Sequence, residues 1–355
     1  MSQAAQLYEQ GLQAARQGDF MAALGHLHHA LEIEERPEFL AARGNALLMI
    51  GETDMALGCL TRACELDPGS AEHRSDLAGA LYSMGRLEEA VYFYEEAIEA
   101  DPQNPEHFYR LGNLHSQMDN QALAIRMLEQ AVARNPVSRE YQKRLGITYY
   151  RAQRFQDAVI AMAPAFRLQP DLETGYNLAA AHFALKNWAD AARVAGEALA
   201  LETDDEDQRL APLRAQALYH AQDYEAARDA LGEALEQQPA DAQLQAMLGD
   251  TYQRLGEPER AARSFQRLCM QNPQNARAWY NQGTAWMNTG EFPRAVECLR
   301  RAADLDAAMG DAFNNLAVCY WRQGDREQAI GSIRQALALD PTSKAYNQTR
   351  QEVEA

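Results

Sequence analysis

The feature that most constrains this chain is a step of 34 residues that recurs along nearly all of it. Gly followed by a charged residue marks the step at Gly18, Gly51, Gly85, Gly256, Gly290 and Gly324. The interval is 34 from Gly51 to Gly85 and again along the last three. Asp119, Gln153, Lys186 and Gln222 fill the same slot in between. Counted from fourteen residues before each slot, copies begin near 4, 37, 71, 105, 139, 172, 208, 242, 276 and 310, so ten copies cover residues 4–343. A short unit of this kind cannot bury its apolar face alone and must stack on its neighbours.

Each copy follows one internal pattern. The eighth position is small: Gly11, Gly44, Ala78, Gly112, Gly146, Ala179, Ala215, Gly249, Gly283, Ala317. The twentieth is Ala throughout, from Ala23 and Ala56 to Ala295 and Ala329, and Pro follows near the thirty-second position in seven copies. Apolar residues between these marks recur at helical spacing. The pattern predicts two antiparallel helices per copy. Small residues let the pair approach closely, the Gly slot ends the first helix in a left-handed conformation, and Pro ends the second.

With Trp279-Tyr-Asn-Gln-Gly283-Thr-Ala-Trp286 followed by Ala295, Leu299 and Ala302, the ninth copy resembles the tetratricopeptide repeat signature, and the other copies repeat its skeleton. The resemblance implies an all-α, right-handed α-solenoid of about ten antiparallel helix pairs plus a short C-terminal capping helix. Its concave groove would be lined by the first helix of each pair. The expected organisation is repeats one to six over 1–201, an acidic joint at 202–207, repeats seven to ten over 208–342, and a capping helix over 343–355. The joint is read from Glu202-Thr-Asp-Asp-Glu-Asp-Gln208, five acids in seven residues where one step lengthens to 36. Pro164, inside the second helix of the fifth copy, is expected to bend or shorten it.

Composition removes several classes of function. The formal net charge is −18, from 51 acidic against 33 basic residues, which disfavours phosphate backbones and anionic lipid, so neither nucleic-acid binding nor membrane insertion is expected. Only three of the basic residues are Lys, which with abundant Ala suggests a GC-rich genome; a bacterial source is expected alongside the family resemblance. No basic-then-apolar leader opens the chain, and Cys59, Cys64, Cys269, Cys298 and Cys319 include no Cys-x-x-Cys pair. Five reduced thiols used as packing groups fit a cytoplasmic location. No phosphate loop, nucleophile elbow or metal-binding helix motif is present, and the cluster His26, His28, His29 lacks a carboxylate or thiolate partner set. Catalytic residues, metal ligands and cofactors are therefore expected to be absent, and the chain is read as a non-enzyme.

Function then rests on the groove. Residues 126–154 hold seven basic and two acidic residues, a net of +5, whereas residues 32–106 hold five basic and seventeen acidic, a net of −12. If the family geometry holds, Tyr109, Arg110, Asn113, Lys143, Arg144, Tyr150, Arg151, Tyr176, Asn177 and Phe183 form a basic, aromatic groove. Such a groove suits an extended, acidic segment of a partner protein. Tyr280, Asn281, Asn315 and Trp321 form a secondary groove in the last two copies. The Lys/Asn set with which some family members clamp chaperone tails is not reproduced, because Asp76 stands where Asn is required. The expected function is a protein-interaction scaffold. One alternative is a homo-oligomeric structural scaffold built by stacking an exposed apolar edge at Leu7, Tyr8 and Leu12, and a third reading is an enzyme with an unrecognised site.

Overall fold

The computed structural model describes residues 2–201 and 207–355, and among them the chain is all-helical, with 21 helices and no strand. It divides into two compact units, Met1–Gln169 and Pro170–Ala355. The first holds copies one to five: α1 (Gln3–Arg16), α2 (Phe20–Ile33), α3 (Pro37–Met49), α4 (Thr53–Leu66), α5 (Ala71–Ser83), α6 (Leu87–Ala100), α7 (Pro105–Gln117), α8 (Gln121–Arg134), α9 (Arg139–Arg151) and α10 (Phe155–Leu168). The second holds copies six to ten: α11 (Leu172–Ala184), α12 (Trp188–Leu199), α13 (Leu210–His220), α14 (Tyr224–Gln237), α15 (Ala242–Arg254), α16 (Pro258–Gln271), α17 (Ala276–Asn288), α18 (Phe292–Leu305), α19 (Gly310–Arg322) and α20 (Arg326–Leu339). A last helix, α21 (Lys344–Glu354), follows copy ten. The unit boundary falls between copies five and six. Of the acidic joint expected at 202–207, all but Asp207 lies outside the described residues.

Local signals start and stop these helices where the pattern requires. Ser70, Asn104, Ser138, Asp241 and Asn275 accept a hydrogen bond from a first-turn backbone N–H of the helix each precedes. At the other end, all ten slot residues have positive φ, the six glycines between 72° and 85° and Asp119, Gln153, Lys186 and Gln222 between 58° and 64°. In copy three, Arg86 N–H reaches back across Gly85 to the Leu81 carbonyl at 2.9 Å, closing the first helix as a left-handed cap does.

Packing follows from the small positions. A Cβ placed on Gly112 would lie 2.8 Å from Leu128 Cγ and 3.3 Å from the Ala124 carbonyl oxygen. Gly44 and Gly283 meet the carbonyls of Ala56 and Ala295 in the same way. The alanines at the twentieth position, Ala23, Ala56, Ala90, Ala124 and Ala158 in the first unit and their counterparts in the second, are fully buried. Within each unit, the main contacts between next-but-one helices join odd-numbered helices, such as α3 with α5, α7 with α9 and α13 with α15. The first helices of the copies therefore form the closely spaced row. At the C-terminal end, α21 covers copy ten with Tyr346 and Val353, and the Tyr346 hydroxyl donates to Asp311 at 2.8 Å.

Two expectations are corrected. Pro164 does not shorten its helix, since α10 has 14 residues like α2, α4, α6 and α8. The carbonyl that loses its donor belongs to Ile160, on an exposed face where water can take the N–H's place. Leu7 and Tyr8 do not form an exposed edge either. They are half-buried against Ala4, Ala30 and Phe39, with the Tyr8 and Phe39 rings stacked at 4.7 Å.

Two outcomes are expected. A left-handed conformation costs an L-residue about 1–2 kcal/mol, and part of that gain is offset by the entropy of an added glycine. Lys186→Gly should therefore raise the unfolding free energy by roughly 0.5–1 kcal/mol, while Gly85→Ala should lower it by about 1 kcal/mol, both read from urea unfolding. Burial also holds the imidazoles of His107, His115 and His182 below their usual range, and Nδ1 of each is buried without a hydrogen-bond partner. The unfolded chain then takes up protons first as pH falls. Their stabilising contribution is complete above about pH 6.5 and is lost as pH drops from there through the depressed folded values. The urea midpoint should fall between pH 7.5 and 5.5, and His115→Leu should flatten that dependence. A midpoint that rises toward pH 5.5 would contradict the assignment.

Candidate functional site

Four of the expected groove residues line one cavity of about 410 Å³ in the first unit: Arg110 and Asn113 from α7, and Arg144 and Arg151 from α9. Helix periodicity brings them together, because residues 110, 113 and 117 of α7 and 144 and 151 of α9 lie three, four or seven apart on their own helices. Tyr82 of α5 and Tyr94 of α6 complete the wall. Tyr94 was not legible as a site residue, since it occupies the twenty-fourth position of copy three, where other copies use Leu, Met, Phe, Ile or Ala for packing. Next to it Gly79 has no side chain, and a Cβ there would stand only 3.6 Å from the Tyr94 hydroxyl. Burial pushes that hydroxyl up to about 12, against the pull of the Arg110 charge, so it remains a neutral donor at any physiological pH.

The four cavity residues are not equivalent. Arg110 is engaged within the protein: its Nε lies 2.8 Å from Glu106, and its Nη1 lies 3.5 Å from Asp76 and 3.4 Å from Ser75 Oγ. Asp76 also accepts from Asn45 Nδ2 at 2.8 Å. Burial pushes the Asp76 carboxyl up, while Asn45 and Arg110 pull it back. Arg144 reaches Glu140 only at 3.9 Å, and its Nε is buried with no partner. Asn113 Oδ1 is likewise buried with no partner. Arg151 is exposed and, among the described residues, forms no ion pair. The cavity thus holds one unsatisfied donor, one unsatisfied acceptor and one unneutralised cation.

The remaining expected residues of this unit flank the cavity on the same helices. The Tyr109 ring lies tilted against Tyr141 at 4.9 Å and its hydroxyl donates to Glu140 at 2.9 Å, and Tyr150 lies 5.6 Å from the Phe155 ring. Lys143 is half-buried and already has an interaction within the protein. Tyr176, Asn177 and Phe183 belong to the second compact unit, so the expected ten-residue set is divided between two bodies. The Arg209 guanidinium lies 3.8 Å over the Tyr176 ring, Asn177 donates to its own helix at the Glu173 carbonyl, and Phe183 packs edge-on against Trp188. In the secondary groove, Asn315 Nδ2 bridges Tyr280 Oη at 3.4 Å and Thr284 Oγ1 at 3.3 Å. Asn281 is half-buried and Trp321 is 39% exposed with Arg322 beside it. Among the described residues, no three His, Cys, Asp or Glu side chains converge on a metal-sized space, and no helix is long and apolar enough to cross a membrane.

A family model described as tetratricopeptide repeat matches residues 8–71, 109–171, 246–308 and 287–344, and a second, described as TPR repeat, matches 78–119. No curated protein matches the chain in sequence. Among solved structures, the C-terminal part of a TPR repeat-containing protein from Cytophaga hutchinsonii is 16% identical, with a TM-score of 0.53 over 68% of this chain and 98% of its own. At that identity the likeness concerns the fold alone. Yeast Tom70 is 15% identical, covering 99% of this chain and 95% of its own at a TM-score of 0.38. MamA is 23% identical, covering 44% and 92% at 0.40. Neither overlay is close enough to carry an argument. With its family model matched over more than half its length and the ten-copy pattern present in its helices, the chain belongs to the tetratricopeptide repeat family.

Proposed function

We propose that the chain is a non-enzymatic, cytoplasmic scaffold whose first unit holds an extended, acidic segment of a partner protein along the row of first helices, centred on Arg144, Arg151 and Asn113. The observation that carries this reading is the pair of unsatisfied buried groups, Arg144 Nε and Asn113 Oδ1, in the wall of one cavity beside the unpaired Arg151. Leaving a buried polar group unmade is costly, so a ligand that satisfies both gains more than its contact area suggests. A peptide backbone offers both a carbonyl and an N–H at the spacing of one residue, and an adjacent carboxylate would answer Arg151. Tyr82, Tyr94 and Leu114 add apolar wall for an aliphatic or aromatic anchor.

The net of +5 counted along 126–154 overstates the field that such a segment would feel. Arg134 and Arg139 donate to the carbonyls of Pro102 and Gln169, and Arg154 pairs with Asp157 at 2.7 Å. Among the residues that line the cavity, Arg144 and Arg151 carry the cationic character left to a ligand.

The test begins with a pull-down that identifies the bound segment, followed by titration of a synthetic peptide copied from it. Arg144→Glu with Arg151→Glu should weaken binding by about 2–5 kcal/mol at low salt, less as salt rises, while the helical spectrum is retained. Unchanged affinity in an intact double mutant would move the site elsewhere. Asp76→Asn is expected to act in the opposite direction. It keeps an acceptor for Asn45, removes one of the two carboxylates paired with Arg110 and leaves Glu106, and should tighten an acidic peptide several-fold at low salt.

A further inference from the structure

We propose a second binding site on the side of the second unit formed by α16 and α18, between copies eight and nine, which takes a tryptophan or tyrosine side chain carried on an acidic segment of a partner protein. It lies between two second helices with the first helix α17 as its floor, and it belongs to the second unit, whereas the cavity invoked above belongs to the first.

The site is a cavity of about 700 Å³ bounded by α16 and α18 and floored by α17, within the size range of ligand pockets. Its origin is one substitution in the repeat pattern. The seventh position of a copy is Leu in six places, at Leu77, Leu111, Leu145, Leu178, Leu248 and Leu316, all buried. In copy nine the same position is Gln282. It is only 5% exposed, and its Oε1 is buried without a hydrogen-bond partner. In the neighbouring copy Gln245 is just as buried, and its Nε2 donates to Ser264 Oγ. Gln282 lines the cavity, and its Oε1 has no hydrogen-bond donor.

The rest of the lining selects the occupant. Trp279, Trp286, Met270 and Pro273 give a flat apolar wall, and Met270 is 75% exposed at its edge. Cys269 and Cys298 extend that wall, because burial pushes both thiols up to about 12 and keeps them uncharged. An aromatic ring bearing one N–H or O–H fits this combination, with the ring on the apolar wall and the donor on Gln282 Oε1. Charge specifies what surrounds the ring. Arg294 lies 4.9 Å over the Trp286 ring, and neither it nor Arg263 forms an ion pair among the described residues. A second depression of about 470 Å³ shares Trp279 and Glu297 with the first and adds Arg300, Arg301 and Asp304. Across the two, four arginines face two acids, a positive furrow on a chain of net charge −18. Carboxylates flanking the aromatic residue complement it.

The probe is the peptide acetyl-Glu-Asp-Trp-Glu-Asp-amide, added to the full chain and followed by the indole N–H signals of the protein's four tryptophans, Trp188, Trp279, Trp286 and Trp321. The signals of Trp279 and Trp286 should shift saturably while that of Trp188 stays in place. Replacing the peptide's Trp by Ala, or making Gln282→Leu in the protein, should weaken this binding at least about tenfold. Gln282→Leu restores the residue that six other copies carry, so its unfolding temperature should equal or exceed the parent's. Arg263→Glu with Arg294→Glu provides a surface variant that tests the site without touching the core, and it should weaken binding at low salt. Saturable shifts that persist unchanged in both variants, or shifts absent from Trp279 and Trp286, would overturn the proposal.

Discussion

Everything in this fold depends on two helices of each copy touching backbone to backbone. At the eighth position the first helix presents Gly or Ala directly to the carbonyl at the twentieth position of the second, as at Gly44 over Ala56 and Gly283 over Ala295. A Cβ at either glycine would press on the neighbouring leucine Cγ at 2.6–2.7 Å and on that carbonyl at 3.2–3.3 Å. That contact sets the distance within a pair, and the left-handed slot residue that follows sets the reversal between its helices. With both fixed, large side chains such as Leu60, Leu128 and Phe265 are left to fill the space beside the contact, and they are buried. The apolar core is thus a consequence of the close approach as much as its cause.

The same contact explains why the repeat was readable and the site only partly so. Steric exclusion acts on residue type, so it leaves Gly and Ala at fixed intervals. The left-handed slot was legible even where Asp119, Gln153, Lys186 and Gln222 replace glycine, because the copies on either side held the register. Interactions between copies leave a weaker trace. They join residues about one repeat apart, displaced by up to a turn: Tyr141 to Glu106, Tyr109 to Glu140, Tyr219 to Asp250, Arg110 to Asp76. Position in the copy shows that such residues are near the groove. It does not show which of them have neutralised one another, and for that reason Arg110 and Arg151 looked alike in sequence.

Both candidate sites arise where a copy departs from its pattern at a buried position. Tyr94 replaces an aliphatic packing residue and carries its hydroxyl to the wall of the first cavity. Gln282 replaces leucine and leaves an amide oxygen without a donor beside the second. The departures at exposed positions carry less information, since a polar residue in water costs nothing to place. Gln10, Arg43 and Arg214 share the seventh position with Gln282, yet none of them is fully buried. The unusual element is a polar group in a place where the fold supplies no partner for it.

Electrostatics then separates what an acidic chain can and cannot hold. A net charge of −18 repels an acidic segment at long range, but salt screens that repulsion beyond roughly 10 Å, and local charge governs the final approach. In the first unit the acidic side chains near the cavity are already paired, Asp76 and Glu106 with Arg110 and Glu140 with Tyr109. What faces an incoming ligand there is Arg144 and Arg151, and in the second unit Arg263 and Arg294. On the proposed reading, the acidic surplus disfavours nucleic acid and anionic membranes, while the paired acids beside the first cavity and the excess of arginines over acids beside the second leave short-range positive surfaces. If both proposed sites hold, geometry would favour acidic protein segments over other polyanions: a peptide can place one or two carboxylates within reach of a cavity cation while its backbone or aromatic donor answers Asn113 or Gln282, and a phosphate backbone offers neither group.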